Sequence, residues 1–99
     1  DLAGIALDPN ERTVVGNGLA IHFGPTEFQL LHFFMTHADR VYTRRQLLDL
    51  ELGDHEVVEE RHVDVHIRRL RRALAPAQFE NLVQTVRGAG YRFSQKESA

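Results

Sequence analysis

Residues 61–74 read R-H-V-D-V-H-I-R-R-L-R-R-A-L, and the spacing of their apolar members decides the fold. At about 3.6 residues per turn, Val63, Ile67, Leu70 and Leu74 fall on one stripe, while Arg61, Val65, Arg68 and Arg72 lie roughly opposite with Arg69 beside them. The stretch predicts an amphipathic helix about 20 Å long, with one side for a core and a guanidinium-rich side for another task. Glu-Lys pairs would serve a solvated face, yet five arginines share this helix with one acid, Asp64. Planar donors that bond in pairs suit phosphates and base edges, and a major groove about 12 Å wide admits one helix. The charge pattern alone leaves a merely solvated face open as the alternative.

Downstream, Ala75-Pro76-Ala77 stops the helix. L-V-Q-T-V, R-G-A-G and Y-R-F then read as two alternating strands joined by a glycine turn, a hairpin with Arg87 at its tip and Tyr91 and Arg92 on its return. The tail 94–99 is polar and expected to fray. Upstream, residues 49–60 carry six acids and no Lys or Arg. Beside a polyanion such a segment is repelled, so it either points away as a solvated connection or meets a basic protein partner. Glu59 and Glu60 also suit a helix N-terminus.

Further back, Thr43-Arg44-Arg45-Gln46 is a capping box with Tyr42 and Leu47 placed as a hydrophobic staple, which predicts a short helix over 44–51. Its first amides, flanked by Arg44 and Arg45, can hold a DNA phosphate. Gly24-Pro25-Thr26-Glu27 opens an earlier helix, with Pro25 at the first helical position and Glu27 where the macrodipole favours an acid. Phe28, Leu30, Leu31, Phe33, Phe34 and Met35 give that helix a broad apolar face, read as core and not as a cofactor box. Residues 2–23 show short apolar pieces broken at Asp8-Pro9-Asn10 and Gly16-Asn17-Gly18, three or four strands of an antiparallel meander. Such a sheet needs the helices to pack on. The whole is an α+β domain with an N-terminal antiparallel sheet, three helices and a C-terminal hairpin wing, the order of a winged helix-turn-helix.

Ninety-nine residues make one domain, and a chain with no cysteine has neither a disulfide frame nor a thiol metal site. No apolar run spans a bilayer and no signal peptide opens the chain, so a soluble protein is expected, with a lean towards the cytosol. A start at Asp1 reads as a piece of something longer. The net charge of −2 hides two fields: residues 1–60 hold four basic and eleven acidic side chains, a balance of −7, and residues 61–99 hold eight and three, a balance of +5. The basic half attracts a polyanion while the acidic half steers which face docks. Among twelve basic residues only Lys96 is a lysine, a bias towards directed hydrogen bonds.

Enzyme chemistry finds little support. His62 and His66 have a zinc-compatible spacing, but no acid follows the first as in a metalloprotease, no third ligand presents itself and Asp64 projects elsewhere, so no metal is expected. Gly88-Ala89-Gly90 follows an arginine at a hairpin tip with no helix after it, which is not a dinucleotide fingerprint. No carboxylates form an acid-base pair and no serine or threonine stands in a nucleophile context beside a histidine. No cofactor is expected.

Four stretches carry a family likeness: G-P-T-E-F-Q-L-L-H-F-F-M (24–35), V-Y-T-R-R-Q-L-L (41–48), V-D-V-H-I-R-R-L-R-R-A-L (63–74) and V-Q-T-V-R-G-A-G-Y-R-F (83–93). Together they resemble the DNA-binding effector domain of OmpR/PhoB-family response regulators, nearest to its phosphate-starvation members, over almost the whole chain. The resemblance implies that residues 1–99 are the effector domain of a cytoplasmic two-component transcription factor whose phosphorylated receiver domain is absent here. It implies two such domains head to tail on direct-repeat DNA, and a monomer in isolation.

Position by position, the resemblance implies that His62, Asp64, Val65 and Arg69 meet base edges and that Arg87 enters the minor groove. It places Arg61, His66, Arg68 and Arg71 on phosphates, with Thr85 and Tyr91 from the hairpin. For Asp64 a cytosine amino group and a pair with Arg68, four residues on, both remain open. Residues 53–59 correspond to a transactivation loop, and with Leu52, the segment Gly53, Asp54, His55, Glu56 and Glu59 would meet the RNA polymerase sigma subunit. Leu52 stands where close relatives carry tryptophan, and His62 where they carry threonine, departures that alter a backbone contact and base preference. From another class, a protein-interaction module using the arginine face is the alternative.

Overall fold

Asn17 and Gly18 both take positive φ, 52° and 75°, as a two-residue hairpin turn of matching twist requires. They join β2 (Thr13–Gly16) to β3 (Leu19–Ile21), and β2 also pairs with β1 (Ile5–Asp8), giving an antiparallel sheet in the order β1-β2-β3. The Asp8 carboxylate accepts the amides of Asn10 and Glu11 at 2.9 and 3.1 Å, which closes the β1–β2 turn. The register sets Ile5 opposite Gly16 and Val14 opposite Ile21, so Ile5 and Val14 face the core while Ala6, Val15 and Ala20 face out. This is a computed structural model, and it describes residues 4–49 and 61–95.

Helix α1 (Pro25–Thr36) starts on Pro25 as its sequence predicts, and it buries Glu27, Phe28, Leu30, Leu31 and Phe34. Phe33 and Met35 pack at the edge of the same cluster. Thr43 caps α2 (Arg44–Leu47): its Oγ1 accepts the Gln46 amide at 3.0 Å, and the Gln46 side chain accepts the Thr43 amide at 2.9 Å. Leu48 and Asp49 carry α2 on as a wider turn, and the remainder of the predicted 44–51 helix lies outside the described residues.

Helix α3 (Arg61–Leu74) buries Val63, Ile67, Leu70 and Leu74, none more than 1% exposed, against α1 and α2. After Leu74 two single helical turns, Ala75–Ala77 and Glu80–Leu82, lead into β4 (Val83–Val86). Between them the backbone turns at Gln78, φ 66°. The stop lies where Pro76 predicts it, whereas the two turns have no signature in the sequence. Strand β4 pairs antiparallel with β5 (Gly90–Phe93) across Arg87-Gly88-Ala89.

A two-stranded hairpin is marginal alone, and this one is fastened at Tyr42. The Tyr42 amide donates to the Tyr91 carbonyl at 2.8 Å and the Tyr91 amide returns a bond to the Tyr42 carbonyl at 2.9 Å. Gly90 makes that approach possible: at φ 143° a Cβ there would stand 2.0 Å from the Tyr42 carbonyl oxygen. Gly90→Ala is therefore expected to lower stability by more than about 2 kcal/mol. A drop in the urea midpoint, with faster amide exchange at Tyr42 and Tyr91, would register it; an unchanged midpoint would mean the wing is not held there.

Candidate nucleic-acid interface

Because the apolar stripe fixes the rotation of α3, the opposite side is turned to solvent. Arg61, His62, Arg68, Arg69 and Arg72 are exposed, and Asp64, Val65, His66 and Arg71 are half-buried along its edges. Arg87 is exposed at the wing tip. Of the residues assigned to base edges or phosphates from sequence, five are bonded to one another across elements.

Asp64 is the first node. Arg44 from α2 approaches it with its guanidinium fork, Nε to Oδ1 at 3.1 Å and Nη2 to Oδ2 at 2.7 Å, and the Tyr91 hydroxyl from β5 donates to Oδ1 at 2.5 Å. Its partners thus lie on two other elements and not on Arg68 one turn along, which corrects the intrahelical alternative. The paired carboxylate holds the Arg44 guanidinium above its ordinary value. Burial, then the bond to Asp64, pushes the Tyr91 phenol up; both shifts keep the protonated partners on the carboxylate.

Arg71 is the second node. Its Nε donates to the Val83 carbonyl at 3.0 Å and its Nη2 to the Thr85 hydroxyl at 2.7 Å, while its guanidinium carbon stands 5.7 Å from the Tyr91 ring centroid. The recognition helix and the wing are thereby tied side by side.

His66 is the third. Its Nδ1 lies 2.6 Å from Oε2 of Glu27, an acid only 8% exposed at the start of α1. Glu27 therefore does more than favour the helix macrodipole. The signal for more was present, since Glu27 shares the i, i+3, i+4, i+7 row of Leu30, Leu31 and Phe34 and so points into the core. Among the described residues no three His, Cys, Asp or Glu side chains gather as a metal group.

Between the start of α2 and the wing lies an open cleft of about 480 Å³ lined by Thr43, Arg44, Arg45, Thr85, Val86, Arg87, Gly88, Ala89, Gly90 and Tyr91. It carries three arginines and no acid. The Gln46 amide at the head of α2 is taken by the Thr43 side chain. Leu52, Gly53, Asp54, His55, Glu56 and Glu59 lie outside the described residues, and no described helix is long and apolar enough to cross a membrane.

A sheet, three helices with the third presenting an arginine face, and a strand pair clamped beside it define a winged helix-turn-helix domain. The family model described as "Transcriptional regulatory protein, C terminal" matches residues 18–93. The chain is 58% identical to the Pseudomonas aeruginosa phosphate regulon transcriptional regulatory protein PhoB and 54% to that of Escherichia coli, each over 96 residues, 97% of this chain and 42% of the relative. The Klebsiella pneumoniae RstA DNA-binding domain, solved in complex with RstA box, superposes with a TM-score of 0.81 at 32% identity, covering 95% of this chain and 94% of that one. The chain belongs to this family, the DNA-binding effector domains of OmpR/PhoB response regulators, which are transcription regulators and not enzymes. It spans less than half the length of the PhoB relatives.

Two outcomes follow from the nodes. Glu27→Ala strips a buried partner from His66 and is expected to cost about 1–3 kcal/mol in urea unfolding, with Glu27→Gln costing less because it keeps an acceptor. Tyr91, raised above 10.0 in the fold, contributes stability that is complete below that value and is lost as pH rises past it. Stability of the wild type should thus fall more steeply above about pH 10 than that of Tyr91→Phe, which has no phenol to ionise; parallel curves would contradict the buried phenol.

Proposed function

We propose that this chain is the sequence-specific DNA-binding output domain of a cytoplasmic two-component response regulator of phosphate-regulon type, acting on promoter DNA. The observation that carries the reading is the rotation of α3: every buried position lies on one stripe, and the guanidinium face turns outward beside an acid-free cleft and an exposed wing-tip arginine. Helix α3 enters the major groove, where His62, Val65 and Arg69 meet base edges, and Arg87 reaches the neighbouring minor groove. Arg44, Arg61, His66, Arg68, Arg71 and Thr85 track the phosphates, and Tyr91, whose one hydroxyl proton goes to Asp64, lines the cleft beside them. The RstA relative, solved on DNA, supports this use of the fold.

The family likeness extends the proposal: a monomer when isolated, two domains head to tail on a direct repeat, and activation through the RNA polymerase sigma subunit by the segment from Leu52 to Glu59. The segment's acidity suits a basic partner.

With four to five charged phosphate contacts, log affinity is expected to fall against log salt with a slope of roughly −3.6 to −4.5. Arg69→Ala should cost about 1–3 kcal/mol on the preferred duplex and relax base preference, whereas Arg68→Ala should weaken preferred and scrambled duplexes alike. A titration across a salt series on both duplexes separates them. Equal losses for the two variants on both DNAs would defeat the assignment, and equal weak binding of the wild type to both would defeat sequence-specific recognition.

A further inference from the structure

Asp64 is the one acid on the arginine helix, and it stands where a carboxylate has two possible uses on DNA. It can accept from a cytosine amino group, or it can hold other donors in place. Unpaired among phosphates it would repel them. The geometry points to the second use: Asp64 is a positioning residue that fixes Arg44 and the wing strand on the recognition helix so that Arg44 faces a backbone phosphate, and it reads no base. The inference rests on the DNA-binding reading above.

Three donors already occupy the carboxylate, two from the Arg44 fork and one from Tyr91, at 2.5 to 3.1 Å. Two carboxylate oxygens offer about four acceptor sites, so the group is close to saturated. Fork-on-carboxylate pairing also sets the plane of the guanidinium. Nε and one N–H of Nη2 are spent on Asp64, which leaves Nη1 and the other Nη2 hydrogen as a second donor edge. Arg44 lines the cleft between α2 and the wing, together with Arg45 and Arg87 and without any acid. Asp64 does not line that cleft. The carboxylate thus holds one edge of Arg44, and Arg44 lines the open cleft.

The pair also joins residues far apart in the chain, 20 positions for Arg44 and 27 for Tyr91. One side chain therefore joins α2, α3 and β5, alongside the Tyr42–Tyr91 backbone pair that fastens the wing beside the head of α2.

The test uses the whole chain and a duplex that it selects from a random-sequence pool, with every base pair of that duplex then changed in turn. Asp64→Ala is expected to keep the wild-type preference at each base pair within about twofold. Arg44→Ala should weaken binding roughly tenfold in the wild type but less than about threefold in the Asp64→Ala background, since an unheld Arg44 has little left to lose. In the DNA-free protein the Tyr91 phenolate absorbance, isolated by difference against Tyr91→Phe, should appear at lower pH in Asp64→Ala than in the wild type. Asp64→Asn, of the same shape, carries the same comparisons should the alanine variant not fold.

Loss of preference by roughly tenfold or more at a single base pair would overturn the inference and make Asp64 a base reader. Additive losses for Arg44 and Asp64, or an unmoved Tyr91 titration, would overturn it as well. A wild-type chain that enriches no sequence would instead sink the DNA-binding reading, and with it Arg44's role on phosphate. The Tyr91 titration would still decide whether the clamp exists.

Discussion

The burial of one four-residue stripe governs the rest of this molecule. Val63, Ile67, Leu70 and Leu74 can all leave water at only one rotation of α3 about its axis, and α1 supplies the apolar surface that receives them. Each such side chain contributes about 1.5–3 kcal/mol on burial, far more than an exposed charge pair. Apolar packing therefore decides where the arginines point. Their direction is a consequence of the core, and the charged face needs no stability of its own.

Rotation of one helix does not place the wing. Val83, Tyr91 and Phe93 enter the core, and β4-β5 is held further by polar bonds to neighbours: the Tyr42–Tyr91 backbone pair, Arg71 on the Val83 carbonyl and Thr85, and Tyr91 on Asp64. Several of these side chains also belong to the proposed DNA face. Polar groups that hold each other before a ligand arrives lose less entropy when it binds, which is the benefit of a rigid supporting set. Arg68, Arg69 and Arg87, at the exposed positions, are left to probe the partner. The domain thus divides its cations into those that build the surface and those that read through it.

Charge follows the same division. A chain of net −2 gives no hint of a polyanion partner, yet residues 61–99 carry +5 and the cleft beside the wing holds three arginines. The inward acid Glu27 is buried at the start of α1, with the His66 Nδ1 2.6 Å from its carboxylate. What an approaching duplex meets is the local field within a Debye length of about 8–10 Å, and not the sum over the chain.

Local periodicity and turn chemistry were enough to place most elements. The stripe of α3, the Thr43–Gln46 capping box, Pro25 at the head of α1, the Asn17-Gly18 turn and the hairpin around Gly88 all depend on residues within a few positions of one another, where covalent geometry fixes who meets whom. The short turns after Leu74 escaped because they have no period to read. The nodes of the surface escaped for a different reason. Glu27 meets His66 across 39 positions, Arg44 meets Asp64 across 20 and Tyr91 meets Asp64 across 27, and no spacing rule links such pairs. The sequence by itself determined the elements, the buried stripe and the family; only the packing of α1, α2, α3 and the wing on one core decided which charges pair with each other and which remain turned to solvent.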